Sequence, residues 1–171
     1  ELYASVYPKI EEAESKHKAD DFYMALREFT MAFKDGHVGL NGGDQEGYWV
    51  QRNLYGGYGF AIRELDDGRS IVVYVMEGGP AEEAGMLVGA EIFTLRGMPV
   101  SDAISATEPY SPQSTDFGLR YEQTVFVTRD GAGGSMEVSF QNPGQGKKTV
   151  ELDSTTEFDS LYATYLGGDY D

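Results

Sequence analysis

Cysteine is absent from this 171-residue chain. That excludes disulfides and thiolate metal sites but leaves the compartment open. Long apolar runs are absent too: nothing approaches the roughly 18 apolar residues of a membrane span. Bases are scarce, with 13 Lys and Arg against 29 Asp and Glu and a formal net charge of −16. A surface that negative repels phosphate backbones, which argues against nucleic acid as a partner. It equally disfavours electrostatic attachment to an anionic membrane. It keeps the chain soluble or draws in basic substrates. Only two histidines are present, too few for a histidine metal site, and no phosphate-binding loop occurs, so no metal and no cofactor is expected. The chain opens at Glu1 without methionine or a signal-like segment, and reads as part of a longer protein.

What is plentiful is glycine, at 22 residues, beside 12 tyrosines and 9 phenylalanines. That balance favours β structure with many turns. The richest stretch is Tyr55-Gly56-Gly57-Tyr58-Gly59-Phe60-Ala61-Ile62. A glycine turn leading into a strand presents N–H groups that can hold an anion, and the strand offers an edge to which a peptide can add. Ahead of it, Pro8 suits the first turn of a polar helix over 8–18. Asp20 or Asp21 can cap a second helix running to Lys34, with Phe22, Leu26, Phe29 and Phe33 as a core-facing stripe. Asp35-Gly36 ends that helix, and Tyr48-Trp49-Val50 could start a strand.

Beyond the glycine loop the pattern predicts strand 60–64, a turn at Asp66-Asp67-Gly68, and a strand from Ser70 to Met76 buried on both faces. A short helix follows at Pro80, then strands 91–95 and 98–100, and a helix capped by Ser101. Residues 108–123 read as a long connection. Strands are expected through the alternating Val125, Val127 and Arg129, and at 136–140 and 148–152. Residues 154–171, with tyrosines at 162, 165 and 170, read as a linker or as a strip lying on a partner.

The run Gly79-Pro80-Ala81-Glu82-Glu83-Ala84-Gly85-Met86-Leu87-Val88-Gly89-Ala90-Glu91-Ile92, followed by Arg96-Gly97-Met98-Pro99-Val100, resembles the hallmark segment of bacterial PDZ domains. It departs from them at Ala90, where aspartate is usual. The resemblance implies an α+β fold, mainly β: a partly open β-barrel with two short helices, preceded here by a small helical segment. The expected organisation is a helical segment over 1–50, a PDZ domain over 51–153 and a linker over 154–171. The N–H groups of Tyr58, Gly59 and Phe60 would take a peptide's terminal carboxylate. Phe60 and Ile62 would line one wall of the groove, and Ala103 and Ile104 the other. The alternative is that these residues fill the barrel.

Upstream, Pro8-Lys9-Ile10-Glu11-Glu12-Ala13, Phe22-Tyr23-Met24-Ala25-Leu26-Arg27-Glu28-Phe29 and Phe33-Lys34-Asp35-Gly36-His37-Val38-Gly39-Leu40 resemble the N-terminal region of carboxyl-terminal-processing (tail-specific) serine peptidases. In that family an Asp-Gly-His motif precedes a PDZ domain and a catalytic domain follows. Some members use a serine–lysine dyad; tricorn-like and chlamydial members pair a serine with this histidine, and on their pattern the resemblance implies His37 as general base. Otherwise His37 closes the helix and hydrogen-bonds locally, with Asp35 a turn residue and His17 on the surface. No serine sits in a glycine-flanked elbow; Ser101 and Ser154 read as caps or loops. The nucleophile would lie in a catalytic domain beyond Asp171. The resemblance further implies export and, as partners, C-terminal peptides of protein substrates. Two other readings stay open: a PDZ adaptor without catalysis, and a non-proteolytic relative that carries apolar ligands.

Overall fold

The computed structural model describes residues 1–165. They hold seven helices and two antiparallel sheets, neither closed into a barrel. The chain divides into two compact units, Glu1–Val50 with Pro109–Leu119, and Gln51–Glu108 with Arg120–Asp171.

In the first unit α1 (Leu2–Ser15) and α2 (Ala19–Met31) pack together as a hairpin. Helix α1 begins well before Pro8, which lies inside it rather than in its first turn. Proline removes one intrahelical bond, to the carbonyl of Ala4. Both residues are exposed, so water can satisfy the freed oxygen. The connection is a left-handed cap: His17 takes φ 52, and the Lys18 N–H reaches back to the Ala13 carbonyl.

Helix α2 starts after Lys18, with Asp20 and Asp21 in its first turn instead of capping it. There they favour the positive end of the helix dipole. It stops at Met31, before Asp35-Gly36. The expected phenylalanine stripe is not the core: Phe22, and Phe33 beyond the helix end, are exposed, whereas Tyr23, Ala25 and Arg27 are buried. Arg27 explains this inversion. Its guanidinium lies 3.9 Å from the centroid of Trp49 and donates to the carbonyls of Pro109 and Tyr110, both at 2.8 Å. A charge with fixed acceptors can be buried, and it ties down residues 109–119. Trp49 belongs to α3 (Asp44–Asn53), a helix where a strand was expected. One buried residue on an otherwise open face is a helical pattern too short to recognise.

The second unit contains β1 (Gly56–Gly57), β2 (Phe60–Glu64), β3 (Ser70–Val75), α4 (Pro80–Glu83), β4 (Glu91–Leu95), β5 (Met98–Pro99) and α5 (Val100–Ala106). After α6 (Asp116–Phe126), within which the unit boundary falls, come β6 (Arg129–Asp130), β7 (Ser135–Gln141), β8 (Lys148–Asp153), β9 (Thr155–Thr156) and α7 (Asp159–Tyr162). The larger sheet runs β2-β3-β4-β7-β8 with β5 beside β4; the smaller runs β6-β1-β9. Strand β3, expected to be buried on both faces, is so only in part: Val73 is exposed, and Ile71 and Val75 are half-buried. Val125 and Phe126 end helix α6 instead of starting a strand. Ser101 lies inside α5, whose N-cap is Pro99. Residues 154–165, expected as linker, form β9 and α7 with Ser154, Glu157, Ser160 and Thr164 buried. Tyr170 lies outside the described residues.

Candidate functional site

In the first unit, the Asp-Gly-His triplet forms a local turn. Asp35 Oδ1 accepts from the backbone N–H of His37 at 2.9 Å and from its Nδ1, also at 2.9 Å. Such an Asx turn is available to any aspartate two residues before a free N–H. The Gly36 N–H donates to Ser114 Oγ at 2.9 Å. Both donations from His37, the backbone one foremost, hold the Asp35 carboxyl below its usual range. A carboxylate only accepts, so Nδ1 donates this bond, and in the neutral ring Nε2 is left with the lone pair. The His37 side chain is 96% exposed, and among the described residues its ring bonds to Asp35 alone. Chemically, this is an imidazole oriented by a carboxylate and open to a proton donor. Asp35, expected as a turn residue, makes that turn.

An open cavity of about 530 Å³ lies elsewhere in the same unit, lined by Ala13, Phe22, Leu26 and Leu40 together with His17 and Gln45.

In the second unit, all six residues expected at the peptide groove are buried. Tyr58, Phe60, Ile62, Ala103 and Ile104 belong to one hydrophobic core with Val72, Leu95, Val127, Val138 and Phe140. Gly59 takes φ +74, and a Cβ there would stand 3.1 Å from the Pro80 ring. The carbonyls of Tyr58 and Gly59 accept from Ala81 and Met76, so the loop is pinned to α4 and to the end of β3. The Tyr58 ring folds inward. Its hydroxyl donates to Asp130 Oδ2 at 2.9 Å, and burial, with Asp130 adding, pushes the phenol up to about 12. Arg96 lies over that ring and donates to the carbonyls of Val127 and Arg129.

The preceding glycines serve another site. A Cβ on Gly57 would overlap Glu157 Oε1 and Arg129 Nη1. Glycine therefore lets β1 lie against a buried ion pair, Arg129 with Glu157, whose side chains are 1% and 4% exposed. Sequence reading missed this pair; no local pattern joins residues 28 apart.

No protein-family model and no curated protein matches the chain. Among solved structures, mature CPAF complexed with lactacystin is 14% identical with a TM-score of 0.56, covering 80% of this chain and 25% of that one. The photosystem II D1 C-terminal processing protease is 20% identical with a TM-score of 0.43, over 80% and 33%. The PDZ domain of a carboxy-terminal protease from Vibrio cholerae, solved in complex with peptide, is 15% identical with a TM-score of 0.37, over 60% and 94%. The chain thus spans about a quarter of the CPAF it matches. At these identities the likeness is one of fold.

Proposed function

We propose that the chain is the base-bearing segment and PDZ domain of a tail-specific-type serine peptidase. The observation that carries this reading is the His37–Asp35 pair: a fully accessible imidazole held with its lone pair outward. In the longer enzyme, Nε2 of His37 takes the proton of a serine hydroxyl as the oxygen attacks the scissile carbonyl. It then returns that proton to the departing amine. Asp35 fixes the tautomer and stabilises the imidazolium as it forms. The PDZ domain takes the C-terminus of an unfolded substrate along β2 and presents the upstream chain for cleavage.

The test uses the longer protein and the 171-residue chain in parallel. His37→Ala in the longer protein lowers kcat by about a thousandfold or more, with the unfolding midpoint unchanged because the side chain is in solvent. Asp35→Asn lowers it by a similar factor through the wrong tautomer. The 171-residue chain alone cleaves nothing. Wild-type kcat in His37→Ala, or cleavage by the isolated chain that a serine-directed inhibitor abolishes, overturns the reading.

A further inference from the structure

The wall that a peptide would approach is β2, an edge strand of the larger sheet with a strand on one side only. Opposite it stands α5. Between their outer ends lies Arg120 of α6. Its Nε and Nη2 donate to Glu64, the last residue of β2, at 2.6 and 2.5 Å. Its Nη1 donates to Ser105 Oγ at 2.7 Å and to the Ser101 carbonyl at 3.2 Å, and its Nη2 to Ser101 Oγ at 3.0 Å. One guanidinium therefore uses its full fork of donors to join the end of β2 to the first turns of α5. Three residues on, Gln123 Nε2 donates to the carbonyls of Ser105 and Thr107 at 3.1 Å each, capping the far end of α5. On the β2 side, Arg63 lies over the Tyr121 ring and donates to the Thr164 carbonyl at 2.6 Å. Tyr121 donates to that same carbonyl at 2.5 Å. Helix α6 is thus bonded to both walls, and the segment after α7 is bonded to β2.

We infer that α6 is a latch on the peptide groove, with Arg120 as its clasp, so that a C-terminal peptide enters only when α6 is released. This rests on the reading of β2 and α5 as groove walls. In the latched state Ile62, Ala103 and Ile104 close over one another within one core, which still leaves a role for the β2 edge. The latch also gives Glu64 and Ser101 work that strand and cap readings leave unexplained. A clasp of charged bonds, about a quarter exposed on either side, weakens with salt or when the carboxylate is neutralised. Release then has a chemical trigger within the domain.

A ligand that binds only the released state has its affinity reduced by the fraction of molecules in that state. A latch open about one part in a hundred costs about a hundredfold, which removing the clasp restores in whole or part. The experiment uses the 171-residue chain and a fluorescein-labelled peptide ending in leucine with a free carboxylate, beside its amidated twin. Anisotropy gives affinity, and amide hydrogen exchange over 117–126 reports release of α6. Arg120→Ala is expected to tighten binding of the free-carboxylate peptide by about tenfold or more, to speed exchange in α6, and to leave the amidated twin unbound. Glu64→Gln, which keeps the shape of β2, moves both readouts the same way by less.

Equal binding by wild type and Arg120→Ala overturns the latch and leaves the groove standing. Unchanged exchange in Arg120→Ala also overturns it, since Arg120 then does not hold α6. Fast exchange with no binding of either peptide overturns the groove itself, and the latch with it.

Discussion

Replacing Glu157 with alanine strips a buried cation of its counter-charge. Arg129 uses every nitrogen of its guanidinium: Nε and Nη2 on the Leu54 carbonyl, Nη2 on the Glu157 carbonyl, and Nη1 on Glu157 Oε1 and Ser160 Oγ. The Glu157 carboxylate in turn accepts from Arg129 at 2.5 Å and from the Ser160 hydroxyl and N–H at 2.5 and 3.0 Å. Three bonds to a charged acceptor, at about 1.5–3 kcal/mol each, set a ceiling that relaxation of the cavity lowers. Removing one partner of a buried pair costs about 3–5 kcal/mol, because the other charge stays buried. The expected loss is about 4 kcal/mol, close to a thousandfold in the unfolding equilibrium. Urea unfolding followed by circular dichroism reads it as a lower midpoint at constant slope. The control is Arg129→Met with Glu157→Leu, which leaves no charge behind and should destabilise less than Glu157→Ala alone. A loss below about 1 kcal/mol for Glu157→Ala, or a double variant worse than the single one, refutes the reasoning.

Ile104→Ala deletes a fully buried side chain and should cost about 2–5 kcal/mol in the same assay; a loss below about 1 kcal/mol would show an open groove wall instead. Gly59→Ala forces a Cβ onto φ +74 beside the Pro80 ring and should cost about 1–2 kcal/mol, read as a lower melting temperature; no change would mean the loop can rotate. Tyr58 ionises near 10 when unfolded and near 12 when folded. Between those values the unfolded chain holds fewer protons, so stability present below pH 10 falls as pH rises toward 12. Tyr58→Phe should make that alkaline fall shallower. Tyr110, also raised to about 12, keeps part of the slope. An unaltered slope counts against burial of the phenol.

The turn chemistry of the second unit was plain in the sequence. Gly59 and Gly68 take positive φ at the positions where turns were expected, and strands 60–64 and 91–95 match to the residue. Local rules suffice there, because glycine takes a left-handed turn at no steric cost. Where local rules failed, a distant partner decided. The phenylalanine stripe of α2 gave way to Arg27, since acceptors at Pro109 and Tyr110 and the Trp49 ring let a cation be buried. Within residues 116–126, read as connection and strand, Arg120 and Gln123 bond to β2 and α5.

At the candidate base, Asp-Gly-His was visible as a motif, and the Asx turn that joins Asp35 to His37 needs nothing beyond the triplet itself. The groove was not legible in that way. Residue types and alternation named Tyr58, Phe60, Ile62, Ala103 and Ile104, and these do stand together. They face one another, and helix α6 is bonded to both β2 and α5. Its Arg120 reaches Glu64 from 56 residues away and Ser105 from 15, separations that no helical or strand period spans. Composition and spacing determined the turns, most of the strands and the chemistry on offer. Packing alone decided what is buried, because burial is a property of the neighbour that arrives from elsewhere in the chain.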